Sequence, residues 1–290
     1  MPSPRVTVIC LCHNQGRFVR EAIQSVLGQT YSNIQLLVVD AASTDNSVKV
    51  ISECLAARPE IRFIALAENC GNCKAFNQAL QQAEGEYIID LAADDVLLPD
   101  RVRKGVMSLA QAGDPYGVNF CDADWISEEG GFKHRHSDRF PHNTIPEGDI
   151  YRDLIARFFI CSPTMIFKRR VIESLGGYDE SLSYEDFDFW IRSSRIFHYC
   201  YTPEVMVQKR IVEGSMSQKQ FSIRSPQLRS TFRVCEKIMA LNKSVAEQKA
   251  LARRLLYETR VCMQLMHFPL VLKYAGLYLK NNSLRYERAG

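Results

Sequence analysis

The chain has 290 residues, 46% apolar and 24% charged, which suits a globular protein with a sizeable core, either one large α/β domain or a domain with an added helical portion. Its net charge of +3 comes with no long basic run and no helix lined by Lys and Arg, which argues against a nucleic-acid partner. No charged leader with a long apolar segment and cleavage site opens the sequence, so a cytoplasmic rather than secreted protein is expected.

Strand and helix signals alternate first. Val6 to Leu11 is a short apolar run bounded by the turn signal His13-Asn14-Gln15-Gly16, and Phe18, Val19, Ala22, Ile23, Val26 and Leu27 then recur at helical spacing. Ile34 to Val39 reads as the second strand, ending at Asp40. Ser43-Thr44-Asp45 supplies cap chemistry for a helix through Val48, Ile51 and Leu55. Ile61 to Leu66 is the third strand, and Phe76, Ala79, Leu80 and Ala83 mark a helix closed by Gly85. Tyr87 to Leu91 is the fourth strand, and Pro99 opens a helix through Val102, Val106 and Leu109.

Beyond this the beat changes. Ser127 to Asp149 is polar and without period, so it reads as a long loop. Apolar segments resume from Leu154 to Phe167. Tyr184 to Ile196 then places Phe187, Trp190, Ile191 and Ser194 on one helical face, with Trp190 as core. Helical patterns run from Ser225 to the end, broken at Pro269. The ten cysteines are scattered, and the CxxC of Cys70 and Cys73 has no second CxxC to complete a zinc site, so most are expected as buried small apolar residues.

Continuous apolar strands between amphipathic helices imply a parallel sheet covered on both faces, whose ligands bind at the carboxyl ends of the strands. The polar residues following those ends are Cys12-His13-Asn14, Asp40, Glu68-Asn69 and Asp94-Asp95. Adjacent carboxylates such as Asp94 and Asp95 repel, and a divalent ion bridging a diphosphate would relieve the conflict; a solvated turn with cap aspartates is the other reading. Asp40 can accept a hydrogen bond from a nucleobase or cap the next helix, while Asp45 reads as a cap or loop brace.

The ordered segments Val6-Thr7-Val8-Ile9 … Asn14, Ser25 to Tyr31, Val38-Val39-Asp40 … Asp45, Asn69-Cys70-Gly71 … Asn77 and Gly85 to Ile88 … Asp94-Asp95 … Pro99 resemble the family 2 glycosyltransferases. Gly176-Gly177-Tyr178-Asp179-Glu180 and Glu185 to Arg192 resemble that family's acceptor-side segment. The resemblance, to members serving bacterial cell-surface polysaccharides, implies a GT-A fold: a mixed, mostly parallel sheet between helices, with a C-terminal helical extension. The catalytic domain would span 1–217, with a nucleotide-sugar half at 1–124 and an acceptor half at 125–217, and helices at 218–290.

The resemblance further implies an inverting transfer from a nucleotide-sugar donor, commonly UDP-linked, to a sugar or lipid-linked hydroxyl. Asp40 would meet the base, with Cys12, Asn14 and Asn69 lining the same pocket. Asp94 would lie near the ribose, and Asp95 would ligate Mn²⁺ or Mg²⁺. Asp186 would be the catalytic base, Glu185 an acceptor-hydroxyl ligand and Asp188 structural. Ala41 stands where a second Asp is usual, Leu11 replaces a frequent Pro, and Val212 stands where a His is frequent. Arg210 and Lys209 are then the expected diphosphate clamps, or a solvated basic pair. A catalytically degenerate relative that binds nucleotide sugars or a partner protein is the alternative. Val261 to Leu279 is apolar but interrupted by Gln264, His267, Pro269 and Lys273, with Arg253, Arg254, Arg260, Lys280, Arg285 and Arg288 around it. That pattern suits a helix packed on the protein or in a homodimer interface, or one lying on an anionic membrane surface.

Overall fold

The computed structural model describes residues 3–140, 145–215, 222 and 225–287. Met216, Ser217, the boundary expected at 217, Arg288 and the Arg285 side chain lie outside the described residues. The chain forms two compact units that interleave in sequence: 1–148, 160–180 and 197–212 make the first, and 149–159, 181–196 and 213–290 the second.

The first unit is built on a nine-stranded sheet in the order β3-β2-β1-β4-β8-β6-β9-β5, with β7 on the β6 edge. Its start follows the expected alternation: β1 (Val6–Cys12), α1 (Val19–Leu27), β2 (Ile34–Asp40), α2 (Ser47–Leu55), β3 (Arg62–Ala65), α3 (Asn72–Leu80) and β4 (Tyr87–Ala92). These four strands are parallel, in a register that sets Cys12 beside Asp40 and Leu11 beside Ala92. Val8, Cys10, Val38, Ile89 and Leu91 are buried in one apolar cluster with Val19, Ile23 and Ile51. β-Branched and aliphatic side chains fill both faces, as a doubly covered parallel sheet requires.

After β4 come the two-residue β5 (Val96–Leu97) and α4 (Arg101–Ala112), which starts after Pro99 and Asp100 rather than on the proline. The sheet then turns mixed. β6 (Tyr116–Ile126) pairs parallel with β9 (His198–Arg210), antiparallel with β8 (Ile166–Lys168) and antiparallel with β7 (Phe132–Arg135). The stretch expected as a loop from 127 therefore contains β7 and a 3-10 turn over His136–Arg139. Ser127 and Gly131 close the hairpin with an amide-to-carbonyl bond, and Gly130 takes the left-handed φ of +84° there. α6 (Arg169–Ser174) follows β8.

The second unit is helical. It comprises α5 (Tyr151–Ala156), α7 (Glu185–Ser194), α8 (Pro226–Leu241), α9 (Val245–Gln264) and α10 (Phe268–Glu287). Phe158, Phe187 and Trp190 form an aromatic cluster, with the Arg254 guanidinium 4.1 Å from the Phe158 ring centre. Trp190 is fully buried, as its apolar helical neighbours predict. Asp188 is also buried, bonded to Arg192 at 2.7 Å and Lys237 at 2.6 Å, which gives it a structural role. Of the ten cysteines, eight are buried and all carry free thiols.

Candidate active site in the first unit

The parallel strands end together, and the turns that follow are knitted by side chains. Asn14 adopts φ +55°, a left-handed conformation that asparagine tolerates better than most residues. Its Oδ1 accepts the Thr44 amide at 2.7 Å, and its own amide donates to Ser43 Oγ at 2.8 Å. Ser43 in turn donates both its amide and its hydroxyl to the Asp40 carboxylate, at 2.9 and 2.5 Å. Asp45 accepts from the Gly16 amide at 3.0 Å and the Ser47 amide at 2.9 Å, so it is a loop brace. A Cβ at Gly16 would fall 2.9 Å from the Ser47 backbone nitrogen, which favours glycine there.

His13 joins a third loop to these two. Its Nδ1 lies 2.8 Å from the Ala41 carbonyl, and its Nε2 lies 3.1 Å from Asn69 Nδ2 and 3.2 Å from Asn14 Nδ2. A carbonyl only accepts, so Nδ1 carries the proton and Nε2 receives the amide donors. Asn14, Asp40 and Asn69 are thereby brought into one cluster. Among their neighbours, sequence reasoning passed over His13 as an organiser; its place between β1 and a turn was the available signal. Cys12 is different. Its thiol sits in the core, where burial pushes it up to about 11, while its carbonyl accepts the Ala41 amide.

Asp94 and Asp95 occupy a tight turn after β4. Asp95 is buried, with Oδ1 accepting the Arg210 amide at 2.9 Å. Burial first, and then the Asp94 charge, push the Asp95 carboxyl up to about 7. Burial also raises Asp94, opposed in part by Lys209 and by a bond from Gln15.

Arg210, expected to clamp a diphosphate, has its donors turned to the protein instead. Its side chain is buried, and Nε donates to the Asp94 carbonyl at 3.1 Å. Nη1 donates to the carbonyls of Ser127 at 3.2 Å and Glu128 at 2.9 Å, and Nη2 donates to Glu21 at 2.5 Å. A guanidinium with this many protein acceptors is a staple for the acidic turn. Lys209 lies with its Nζ 5.1 Å from the Trp125 ring centre.

A second latch holds the Gly176–Glu180 segment. Asn77 accepts the Tyr178 amide at 2.9 Å and donates to the Tyr178 carbonyl at 2.9 Å and to Glu180 at 3.0 Å. Gly177 has φ +91°, and a Cβ there would meet Asn77 Oδ1 at 2.7 Å. The Tyr178 hydroxyl reaches Asp90 at 3.1 Å. Glu185 and Asp186 belong to the second unit, in the first turn of α7, where carboxylates complement the helix N-terminus.

Among the described residues, no group of three or more His, Cys, Asp and Glu side chains could hold a metal ion. The Asp94-Asp95 pair nevertheless fits a hard divalent cation that takes its other ligands from phosphate and water. A buried and a half-buried carboxylate that repel each other gain from such a charge, and oxygen donors match Mg²⁺ or Mn²⁺.

Comparison with known proteins bears on the family and the fold. Uncharacterised glycosyltransferases of Rickettsia typhi and Methanocaldococcus jannaschii are 26% and 28% identical over 214 and 199 residues, covering 72% and 66% of this chain. The aligned parts make up 64% and 65% of those relatives, so the chain spans just under two thirds of their length. S. aureus TarS 1-349 in complex with UDP-GlcNAc has a similar fold, with a TM-score of 0.65 at 15% identity over 98% of this chain and 90% of that one. The mannosyltransferase PcManGT from Pyrobaculum calidifontis, in complex with GDP-Man and Mn2+, gives 0.63 at 18% identity over 99% and 84%. The architecture is the GT-A fold. The family described as Glycosyl transferase family 2 matches residues 7–176, more than half of the sequence, and the chain belongs to that family.

Proposed function

We propose that this protein is an inverting glycosyltransferase that moves a sugar from a nucleotide-sugar donor, UDP-linked in the first instance, to a hydroxyl on a sugar or lipid-linked acceptor. Synthesis of cell-surface polysaccharide or glycolipid is the setting this reading favours. The observation that carries it is the Asp94-Asp95 turn after a parallel strand, where the charge of half-buried Asp94 faces the buried Asp95 carboxyl and a cation would relieve the conflict. The UDP-GlcNAc and GDP-Man of the two solved relatives support a nucleotide-sugar donor, and the Mn2+ of the second supports a divalent metal.

Asp95, with Asp94 beside it, would hold Mn²⁺ or Mg²⁺, which supplies charge neutralisation at the departing diphosphate. Asp40 has spent one acceptor position of each oxygen on Ser43 and keeps others for a nucleobase N–H. Asn14 and Asn69, oriented through His13, shape the same donor pocket, with Cys12 acting through the turn it begins. Asp94 serves the ribose. Arg210 keeps the acidic turn in place instead of touching phosphate. Asp186 takes the proton from the acceptor hydroxyl as the new bond forms, and Glu185 orients that hydroxyl.

The test is donor binding and transfer measured side by side, with Mn²⁺ and a panel of nucleotide sugars. Asp186→Asn should lose transfer by at least about a hundredfold while donor affinity stays within about twofold. Transfer at the parental rate in that variant removes the proposed base, and no binding of any nucleotide sugar with metal removes the reading. Val212, in place of a frequent His, motivates a second reading, a relative that binds nucleotide sugar without turnover; binding without transfer to any acceptor would select it.

A further inference from the structure

Helix α10 has one buried face and one exposed apolar stripe. Leu270, Tyr274, Leu277 and Asn281 recur at i, i+4, i+7 and i+11 and are buried against the rest of the second unit. Phe268, Leu272, Ala275 and Leu279 follow the same spacing two residues earlier in phase. Two residues correspond to about 200° of rotation, so this stripe lies on the opposite side of the helix. Phe268 is 63% exposed, Leu272 74% and Leu279 69%. The stripe rises over about 16 Å. At the α9–α10 corner, Met263 and Met266 extend the exposed apolar surface. Isolated surface leucines need no explanation, but a repeated stripe of large apolar side chains does.

The flank of this stripe is basic. A groove of about 820 Å³ between α8 and α10 is lined by Arg229 and Arg233 from one helix and Lys273 and Lys280 from the other, against the single acid Glu236. Lys273 Nζ lies 5.8 Å from the Phe232 ring centre, and Arg233 gives one donor to the Ser181 carbonyl. Four cations against one carboxylate select an anionic occupant. They also disfavour a second copy of this chain, because a two-fold interface would set the basic patch against itself.

We infer that this face docks the protein on an anionic phospholipid bilayer. Phe268, Leu272 and Leu279, with the corner methionines, enter the acyl boundary, and Arg229, Arg233, Lys273 and Lys280 meet headgroup phosphates. Long cationic side chains beside an apolar stripe, on a helix lying in the interface plane, are the physical signature of such a surface. No helix among the described residues is long and apolar enough to cross a membrane, so the contact is peripheral. The inference does not depend on the donor site, since all these residues belong to the second unit.

The test is co-flotation of the full chain with phosphatidylcholine vesicles, with and without phosphatidylglycerol. Binding is expected to the anionic vesicles alone and to weaken with salt. Neutralising Lys273 and Lys280 together (K273Q, K280Q) should lower partitioning about 25-fold, about fivefold for each lysine. Leu272→Ser with Leu279→Ser, which alters exposed side chains only, should reduce it further while nucleotide-sugar binding is unchanged. No binding to anionic vesicles, equal binding to neutral ones, or indifference to both double variants overturns the inference. A stable dimer that Leu272→Ser dissociates, or an acidic protein bound through the stripe in place of lipid, also overturns it.

Discussion

Donor binding should carry a proton linkage set by Asp95. Burial and the Asp94 charge raise its carboxyl from the usual 3.8 to about 7, which disfavours the ionised form in the fold by about 4 kcal/mol. The sign follows from that direction. Without metal, the stability associated with Asp95 is fully present below about pH 4 and is lost as pH rises through about 7. A divalent cation held as proposed would bind the ionised form and displace one proton below that point. Metal-dependent affinity should therefore climb about tenfold per pH unit well below that point, about 15-fold from about pH 5.5 to 7, and level off above. Calorimetry with Mn²⁺ and an intact nucleotide sugar, in buffers of different ionisation enthalpy, reads the protons directly. About one should be released near pH 6 and almost none near pH 8. Asp94→Asn removes the neighbouring charge, lowers the Asp95 carboxyl and so should reduce the release near pH 6. An affinity flat across this range, or proton release unchanged in Asp94→Asn, would refute the linkage.

Two further substitutions test the scaffold. Arg210→Met removes bonds to three carbonyls, at about 1 kcal/mol each, and an ion pair discounted because Glu21 is half exposed. A loss of about 3 kcal/mol in urea denaturation is expected, with weaker metal-dependent donor binding; parental stability would mean that the staple carries no load. Asp188→Asn leaves Arg192 and Lys237 against a neutral amide and should cost about 3 kcal/mol, read as a lower thermal midpoint. A midpoint within a degree of the parent would contradict its structural role.

The first half of the fold was legible because its signals are local. Val6–Cys12, Ile34–Asp40 and Tyr87–Ala92 are mostly apolar runs; the first two end at Cys12 and Asp40, and the third stops two residues before Asp94, the residues that the strand-end rule singles out. The strands after residue 115 were not. β8 has three residues and β7 reads Phe-Lys-His-Arg, so neither offers a period, and both exist because β6 supplies a long pairing edge. Arg101 shows the same limit: it is fully buried, bonded to Asn119 and to the Thr164 carbonyl, and only distant acceptors make that tolerable.

At the site, sequence indicated which residues gather but not which way they face. The Asp94-Asp95 pair stood out through its own repulsion. The inward turn of Arg210 depends on the Glu128 carbonyl and on Glu21, far away in the sequence. A basic residue beside a predicted anion site looks like a clamp until its acceptors are known.

That long reach has a consequence for how the protein is made. The acidic turn at 94–95 emerges early, yet the strand that covers it and the side chain that fixes it come with residue 210, the last of β9. A nascent chain, or any fragment ending before that residue, lacks the contacts that brace this turn. The proposed cation site would therefore be braced only once residue 210, 115 positions beyond Asp95, has been made.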